Sequence, residues 1–303
     1  MSVKTVQTII NGQTYSLSLN SNTGKYEAII TAPGISSYKQ NGHYYNVQVK
    51  ATDNAGNVST KDAGDSTIGG SLRLIVKEKV PPVITITAPS GNALITNNKP
   101  TITWTVSDND SGVNPDSIKL IIDNGVVITG SSITKTSVTN GYSCTYTPAT
   151  ALDDGSHTIK VDASDYDGNA ATQKSSTFKI DTVPPTLSVS SPTNGLETNQ
   201  ANITVLGTTN DITSSPVTLK IQLNDDTAET VTVSDNGKFS KDLTLATGTN
   251  AITITATDGA GKSTTVTRSV ILDTTAPVIT SVSMNPNPVD SGKTFVIAVV
   301  VSD

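Results

Sequence analysis

A single cysteine, Cys144, is the first scarcity in this chain of 303 residues. It excludes an intrachain disulfide framework, so any small domain must be held by its core and its neighbours. Aromatic residues make up 4% of the chain and apolar residues 35%. Such a composition excludes one large core and points to small domains with short strands and many turns. Basic residues are unclustered and the net charge is −6. Nucleic acid is therefore excluded as a partner, because nothing gathers to neutralise phosphates. The longest apolar run, Phe295 to Val301, is far too short to span a bilayer, so membrane insertion is not expected. Met1-Ser2-Val3-Lys4-Thr5-Val6 carries no apolar run and no small-residue cleavage site. The expectation is synthesis in the cytoplasm without a signal peptide. There is no phosphate-binding glycine loop, no pair of metal histidines and no serine elbow, and no catalytic residue is assigned.

What is present is a repeat. Val161-Asp162-Ala163-Ser164-Asp165-Tyr166-Asp167-Gly168-Asn169 recurs as Val49-Lys50-Ala51-Thr52-Asp53-Asn54-Ala55-Gly56-Asn57, and again as Ile254-Thr255-Ala256-Thr257-Asp258-Gly259-Ala260-Gly261-Lys262. Before each copy apolar and polar residues alternate strictly, as in Ile159, Val161 and Ala163. A period of two predicts a half-buried antiparallel strand. Asp-x-x-Gly then predicts a tight turn, in which Asp caps its own backbone and Gly takes a positive φ. Three copies predict an array of β-domains.

A second repeat marks the boundaries. Val80-Pro81-Pro82-Val83, Val183-Pro184-Pro185-Thr186 and Thr275-Ala276-Pro277-Val278 each open a domain. Proline removes a ladder donor and belongs at a strand entry, and links this short favour a semi-rigid rod. Residues 81–182 read as a complete sandwich of seven strands: Val83–Thr87, Thr101–Ser107, Ile118–Ile122, Val126–Thr129, Tyr142–Thr147, Thr158–Ser164 and Ser176–Ile180. Asn124-Gly125 is the predicted hairpin turn after the third, and Trp104 is a core residue on the apolar phase of the second. Residues 183–273 repeat the plan, with Val205 and Gly207 in the phase of Trp104 and Val106. Residues 1–80 begin at the equivalent of the third strand and lack the first two, whereas 274–303 supply two opening strands and no more.

These two deficits are complementary. Two strands alone are marginal in water, and a strand apolar on both faces, as Phe295–Val301 is, invites pairing. The reading is that residues 274–303 of one molecule complete residues 1–80 of a neighbour, giving a head-to-tail homo-oligomer. The interface residues are Val6, Ile9, Val47 and Val49 on one side and Val278, Phe295, Ile297, Val299 and Val301 on the other. A boundary that cuts the last domain, or closure within one chain, are the alternatives.

Acidic loops form the second constellation. Asp108 and Asp110 follow the second strand of 81–182, Asp165 and Asp167 sit in the repeated turn, and Asp211 and Asp258 are the counterparts in 183–273. Asp181 ends the preceding last strand and can join them. Calcium at the domain junctions is the one cofactor such oxygens suggest; Asp capping its own β-turn is the competing reading. Cys144 and His157 lack a third orienting group, so both read as packing residues.

The proline openings, the Asn-Gly-Lys-Phe turn at Asn236–Phe239 and the Ala-Thr-Asp-x-Ala-Gly ends resemble the bacterial Ig-like domains found in surface adhesins and phage tail proteins. The resemblance covers nearly the whole chain. It implies an all-β fold of tandem Ig-like sandwiches in a semi-rigid rod, incomplete at both ends. It also implies a structural, non-enzymatic role in a virion, as a phage tail part, or in an extracellular filament. Other virion proteins are the further partners it suggests. The alternative is an adhesin or receptor-binding module for host-surface glycans, which exposed tyrosines such as Tyr44 and Tyr166 would favour.

Overall fold

In a computed structural model of the chain, which describes residues 2–303, every regular element is a strand or a short 3-10 turn. Among the described residues no helix is long and apolar enough to cross a membrane. The chain divides into two compact units, one ending at Ile180 and the other starting at Asp181.

The first unit opens with six strands: β1 Val3–Ile10, β2 Gln13–Asn20, β3 Lys25–Glu27, β4 Tyr45–Asp53, β5 Val58–Lys61 and β6 Arg73–Leu74. They form a single sheet in the order β3-β2-β1-β4-β5, with β6 paired to β4. Asn11-Gly12, both at positive φ, make the two-residue turn between β1 and β2. The register places Val6 opposite Leu17 and Ala51, Thr8 opposite Tyr15 and Val49, and Ile10 opposite Val47. One face is therefore apolar. Ile10 and Tyr45 are buried at one end of it, while Val6, Leu17, Val47 and Val49 stay partly exposed and Leu19 is exposed. No second sheet covers this face among the described residues.

Residues 81–180 are a two-sheet sandwich. The strands are β7 Val83–Ala88, β8 Leu94–Ile95, β9 Ile102–Ser107, β10 Lys119–Ile122, β11 Thr134–Val138, β12 Gly141–Tyr146, β13 Gly155–Asp162 and β14 Lys174–Ile180. One sheet runs β10-β13-β14-β8 and the other β11-β12-β9-β7. Between them Ile102, Trp104, Val106, Leu120, Ile159, Val161 and Phe178 are sealed from water. Trp104 is thus a core residue, as its strand phase predicts.

Two local expectations fail here. Val126–Thr129 is not a strand: only Leu120 and Ile128 bridge, and Val126 stands in solvent. The strand lies later, at β11, an edge whose side chains are almost all wet and so show no apolar period. The turn also shifts by one residue. Asp123 and Asn124 take the positive φ angles, and Gly125 N–H closes the turn on Ile122 O at 2.8 Å. Asn is tolerated there for the same reason that it precedes Gly elsewhere.

His157, on β13, is buried and holds two partners: its Nδ1 lies 2.6 Å from Asp123 Oδ2 and its Nε2 2.7 Å from Asp153 O. Burial pushes the imidazole down, but the hydrogen bond to Asp123 and the pull of Asp153 outweigh it and leave the pKa raised. A raised folded-state pKa contributes stability fully present below the unfolded value of about 6.5, and lost as pH rises through the folded value. Unfolding followed by the fluorescence of Trp104, the one tryptophan, should therefore show a higher midpoint at pH 6 than at pH 8. Asp123→Asn should flatten that difference.

The second unit carries β15 Thr186–Ser191, β16 Leu196–Thr198, β17 Asn202–Asn210, β18 Thr218–Leu223, β19 Glu229–Val231, β20 Lys238–Thr244, β21 Gly248–Thr257 and β22 Ser263–Leu272. The sheets are β15-β17-β20 and β16-β22-β21-β18-β19, closed over Val205, Leu219, Phe239, Ile252, Ile254 and Val270. Gly207 is required by packing: a Cβ there would stand 2.4 Å from the Phe239 ring. After this sandwich come β23 Val278–Asn285 and β24 Val296–Ser302, an antiparallel pair by themselves and exposed at every residue.

Candidate metal centres and unpaired sheet faces

The three repeated turns are built alike. Asp53, Asp165 and Asp258 each receive the backbone N–H of the residue four positions on, at 2.9, 2.8 and 2.8 Å. Gly56, Gly168 and Gly261 take φ of 90°, 95° and 84°. Asp caps its own turn, as Asp-x-x-Gly predicts. The second carboxylate oxygen decides what else the turn can do.

In the first unit Asp165 faces Asp108, and the third carboxylate is Glu78, from the segment leading into β7. One oxygen from each lies within 4.8 Å of the others. Asn169 Nδ2 donates to Asp165 Oδ2 at 2.7 Å and to Glu78 Oε1 at 3.0 Å, and Ser111 donates to Glu78 Oε1. Asp108 Oδ1 accepts the N–H groups of Asp110 and Gly112. Burial raises the pKa of Glu78, and its hydrogen bond to Asp165 raises it further. Burial acts on Asp165 in the same sense, but the bonds from Glu78 and Asn169 outweigh it and hold Asp165 low. The Asn169 amide thus ties the two carboxylates together and gives a partner to Asp165 Oδ2 and to Glu78 Oε1.

Asp110 and Asp167 do not join it. Asp110 Oδ1 accepts Ser36 N–H at 2.8 Å and Asp167 Oδ2 accepts Glu78 N–H at 3.0 Å. Both carboxylates hold the backbone of residues 2–80 against the sandwich that follows. Lys39 adds a bond to Asn109 O. Tyr38 stacks on Tyr166 with ring centroids 4.1 Å apart, and on His43 at 4.0 Å. Tyr44 lies under the Arg73 guanidinium. Tyr166 and Tyr44, the tyrosines that would favour a sugar platform, each pack one ring face within the protein, and Tyr166 stays 37% exposed.

In the second unit Asp181, Asp211 and Asp258 form the equivalent triad, again within 4.8 Å of one another, and all three are buried. Asp211 Oδ1 accepts Thr213 N–H at 2.8 Å and Ser214 N–H at 2.6 Å. Ser214 Oγ donates to Asp181 Oδ2. Asp258 Oδ2 is sealed from solvent and has no hydrogen-bond partner. The reason is one residue: where Asn57 and Asn169 supply a side-chain amide to their aspartates, the third repeat has Lys262. The repeat pattern groups Asp108 and Asp110 with Asp165 and Asp167, and Asp211 with Asp258, with Asp181 able to join; it includes neither Glu78 nor Ser214. Glu78 stands four residues before Pro82, as Asp181 does before Pro185, and that spacing was legible.

Cys144 and His157 are not a pair. Cys144 is fully buried opposite Trp104, and burial pushes its thiol up to about 11, which makes it inert.

The proposed interface residues fall on defined faces. Val6, Val47 and Val49 share the apolar face of the first sheet, and Ile9 lies on the other, with Thr14 and Gln48. In the final hairpin Ile297, Val299 and Val301 share a face with Ile279, Val282 and Met284, all 48–65% exposed. Val278 and Phe295 are exposed too, Val278 paired with Ser302 on the opposite face and Phe295 just before β24.

Residues 82–161 match the family model of the bacterial Ig domain, and residues 185–274 match that of glucodextranase, domain B. No curated protein matches the chain. Among solved structures, an I-band fragment of titin is 14% identical, with 89% of this chain and 88% of that chain covered and a TM-score of 0.47. The fibronectin(III)-like modules of Clostridium thermocellum CbhA are 13% identical, over 63% of this chain and 94% of that one, with a TM-score of 0.34. Sidekick-1 immunoglobulin domains 1–5 are 12% identical, over 99% and 60%, with a TM-score of 0.40. Two sandwiches with the same repeated turns, each matched by a family model, make residues 81–273 a tandem pair of Ig-like β-sandwich domains.

Proposed function

We propose that the chain is a structural, non-enzymatic subunit that assembles head to tail by strand complementation, as part of a phage tail or virion or of an extracellular filament. One observation carries the reading: two uncovered apolar sheet faces of matching kind. The hairpin offers Ile279, Val282, Met284, Ile297, Val299 and Val301, and the first sheet offers Val6, Leu17, Leu19, Val47 and Val49. The other two domains each close such a face with a second sheet; these two faces have none among the described residues. A sheet laid on a sheet buries both faces about 10 Å apart. Each exposed Val or Ile that enters the shared core adds roughly 1 kcal/mol or more. A contact between different surfaces of identical molecules does not close on itself, and it propagates as a filament.

The test is mass. Full-length protein should elute as a concentration-dependent series of oligomers in size-exclusion chromatography with light scattering. A version ending at Asp273 should be a monomer. If both are monomers, or both polymerise, assembly through the hairpin is wrong.

A further inference from the structure

We propose that Asp181, Asp211 and Asp258 form a calcium site of the second unit. This goes beyond the assembly proposed above and does not depend on it. Three buried carboxylates crowd together, and the ion pairs of the described residues, Lys61–Asp65, His157–Asp123 and Lys241–Glu229, all lie elsewhere. Carboxylates buried this close repel one another when ionised, and a bound cation would relieve that repulsion. The independent sign of a ligand is the orphaned atom. Asp258 Oδ1 is occupied by Lys262 N–H, so the oxygen it has left for the cluster is Oδ2, which is dry and unpaired. An acceptor abandoned in a buried site costs about 1–3 kcal/mol unless something binds it.

The chemistry selects the ion. All donors are hard oxygens, three of them anionic, with Ser214 Oγ beside them. One oxygen from each of the three carboxylates lies within reach of a single ion. Neither thiol nor imidazole is present for zinc. The related centre of the first unit does not share the signature. There Asn169 satisfies Asp165 Oδ2, Ser111 and Asn169 satisfy Glu78, and no buried carboxylate oxygen is left without a partner. The assignment is therefore to one centre of the two, and the residue that separates them is Lys262 in place of Asn.

Calorimetric titration with calcium chloride tests it, on chelator-stripped full-length protein carrying Val299→Asp so that assembly plays no part. The expected result is one calcium per chain with a dissociation constant of about 10 μM to 1 mM, and a thermal midpoint raised by several degrees at saturation. Asp258→Asn should weaken binding at least tenfold. Lys262→Asn should also weaken it, with every carboxylate retained, because its amide would take Oδ2 as Asn169 does on Asp165. Glu78→Gln should leave binding unchanged. Unfolding midpoints of each variant without calcium establish that the fold persists. No heat and no midpoint change up to about 10 mM calcium would overturn the site. So would binding that survives Asp258→Asn, binding that follows Glu78→Gln, or equal affinity for magnesium.

Discussion

Val299→Asp should leave the chain folded and abolish its assembly. In the single molecule Val299 is 48% exposed on the open face of the final hairpin, so a carboxylate there meets water and unfolding should be unaffected. In the proposed complex the same side chain enters a core shared with Val6, Leu17 and Val49 of the neighbour. An unpaired charge in such a place costs several kcal/mol, which weakens association at least about a hundredfold. Val300→Asp is the control. Val300 pairs with Ser281 on the opposite face of the hairpin, and that face would remain outward. Light scattering should find polymer for Val300→Asp and monomer for Val299→Asp.

Gly141→Ala should be among the most damaging single-methyl substitutions in residues 81–180. Asn140-Gly141 looks like a turn pair in which Gly supplies the positive φ, yet Asn140 takes that conformation, at 61°. Gly141 is needed because strands β9 and β12 meet there. An added Cβ would stand 1.9 Å from Val106 O and 2.9 Å from Ser107 Cα. Backbone on both sides cannot yield without breaking the ladder that continues through Tyr142–Val106 and Cys144–Trp104. Overpacking of this kind costs about 3 kcal/mol. In a domain of this size that lowers the midpoint read by Trp104 fluorescence by about 12–24 °C. Gly168→Ala, at φ 95° with nothing within 4 Å, should cost less, since the strain is confined to one exposed turn.

Where side chains alternate between core and water, the fold was legible. β9, β13, β17 and β21 all lie where the alternation puts them, because a half-buried strand writes its geometry into a period of two. β11 was not legible. Thr134–Val138 pairs on one side only and is wet on nearly every side chain, so burial exerted no selection for a pattern. Val126 and Val127 misled for the converse reason: they are apolar and exposed. At the acidic loops the sequence indicated which turns converge, since the domain plan repeats. It could not show which oxygen goes unpaired. That depends on whether residue four of the turn donates an amide, and Asn and Lys look equally polar until the hydrogen bonds are drawn. Asp110 and Asp167 escaped for a similar reason, as their partners Ser36 and Glu78 are backbone N–H groups far away in the chain.

Two crippled chains give the most direct test of the central claim. Val299→Asp spoils the hairpin and spares the first sheet; Val49→Asp spoils the apolar face of that sheet and spares the hairpin. Each alone should be monomeric. Mixed in equal amounts they should form a one-to-one dimer and go no further, since a single intact hairpin meets a single intact sheet. If the mixture remains monomeric, or if Val49→Asp dimerises unaided through hairpin against hairpin, head-to-tail complementation is contradicted.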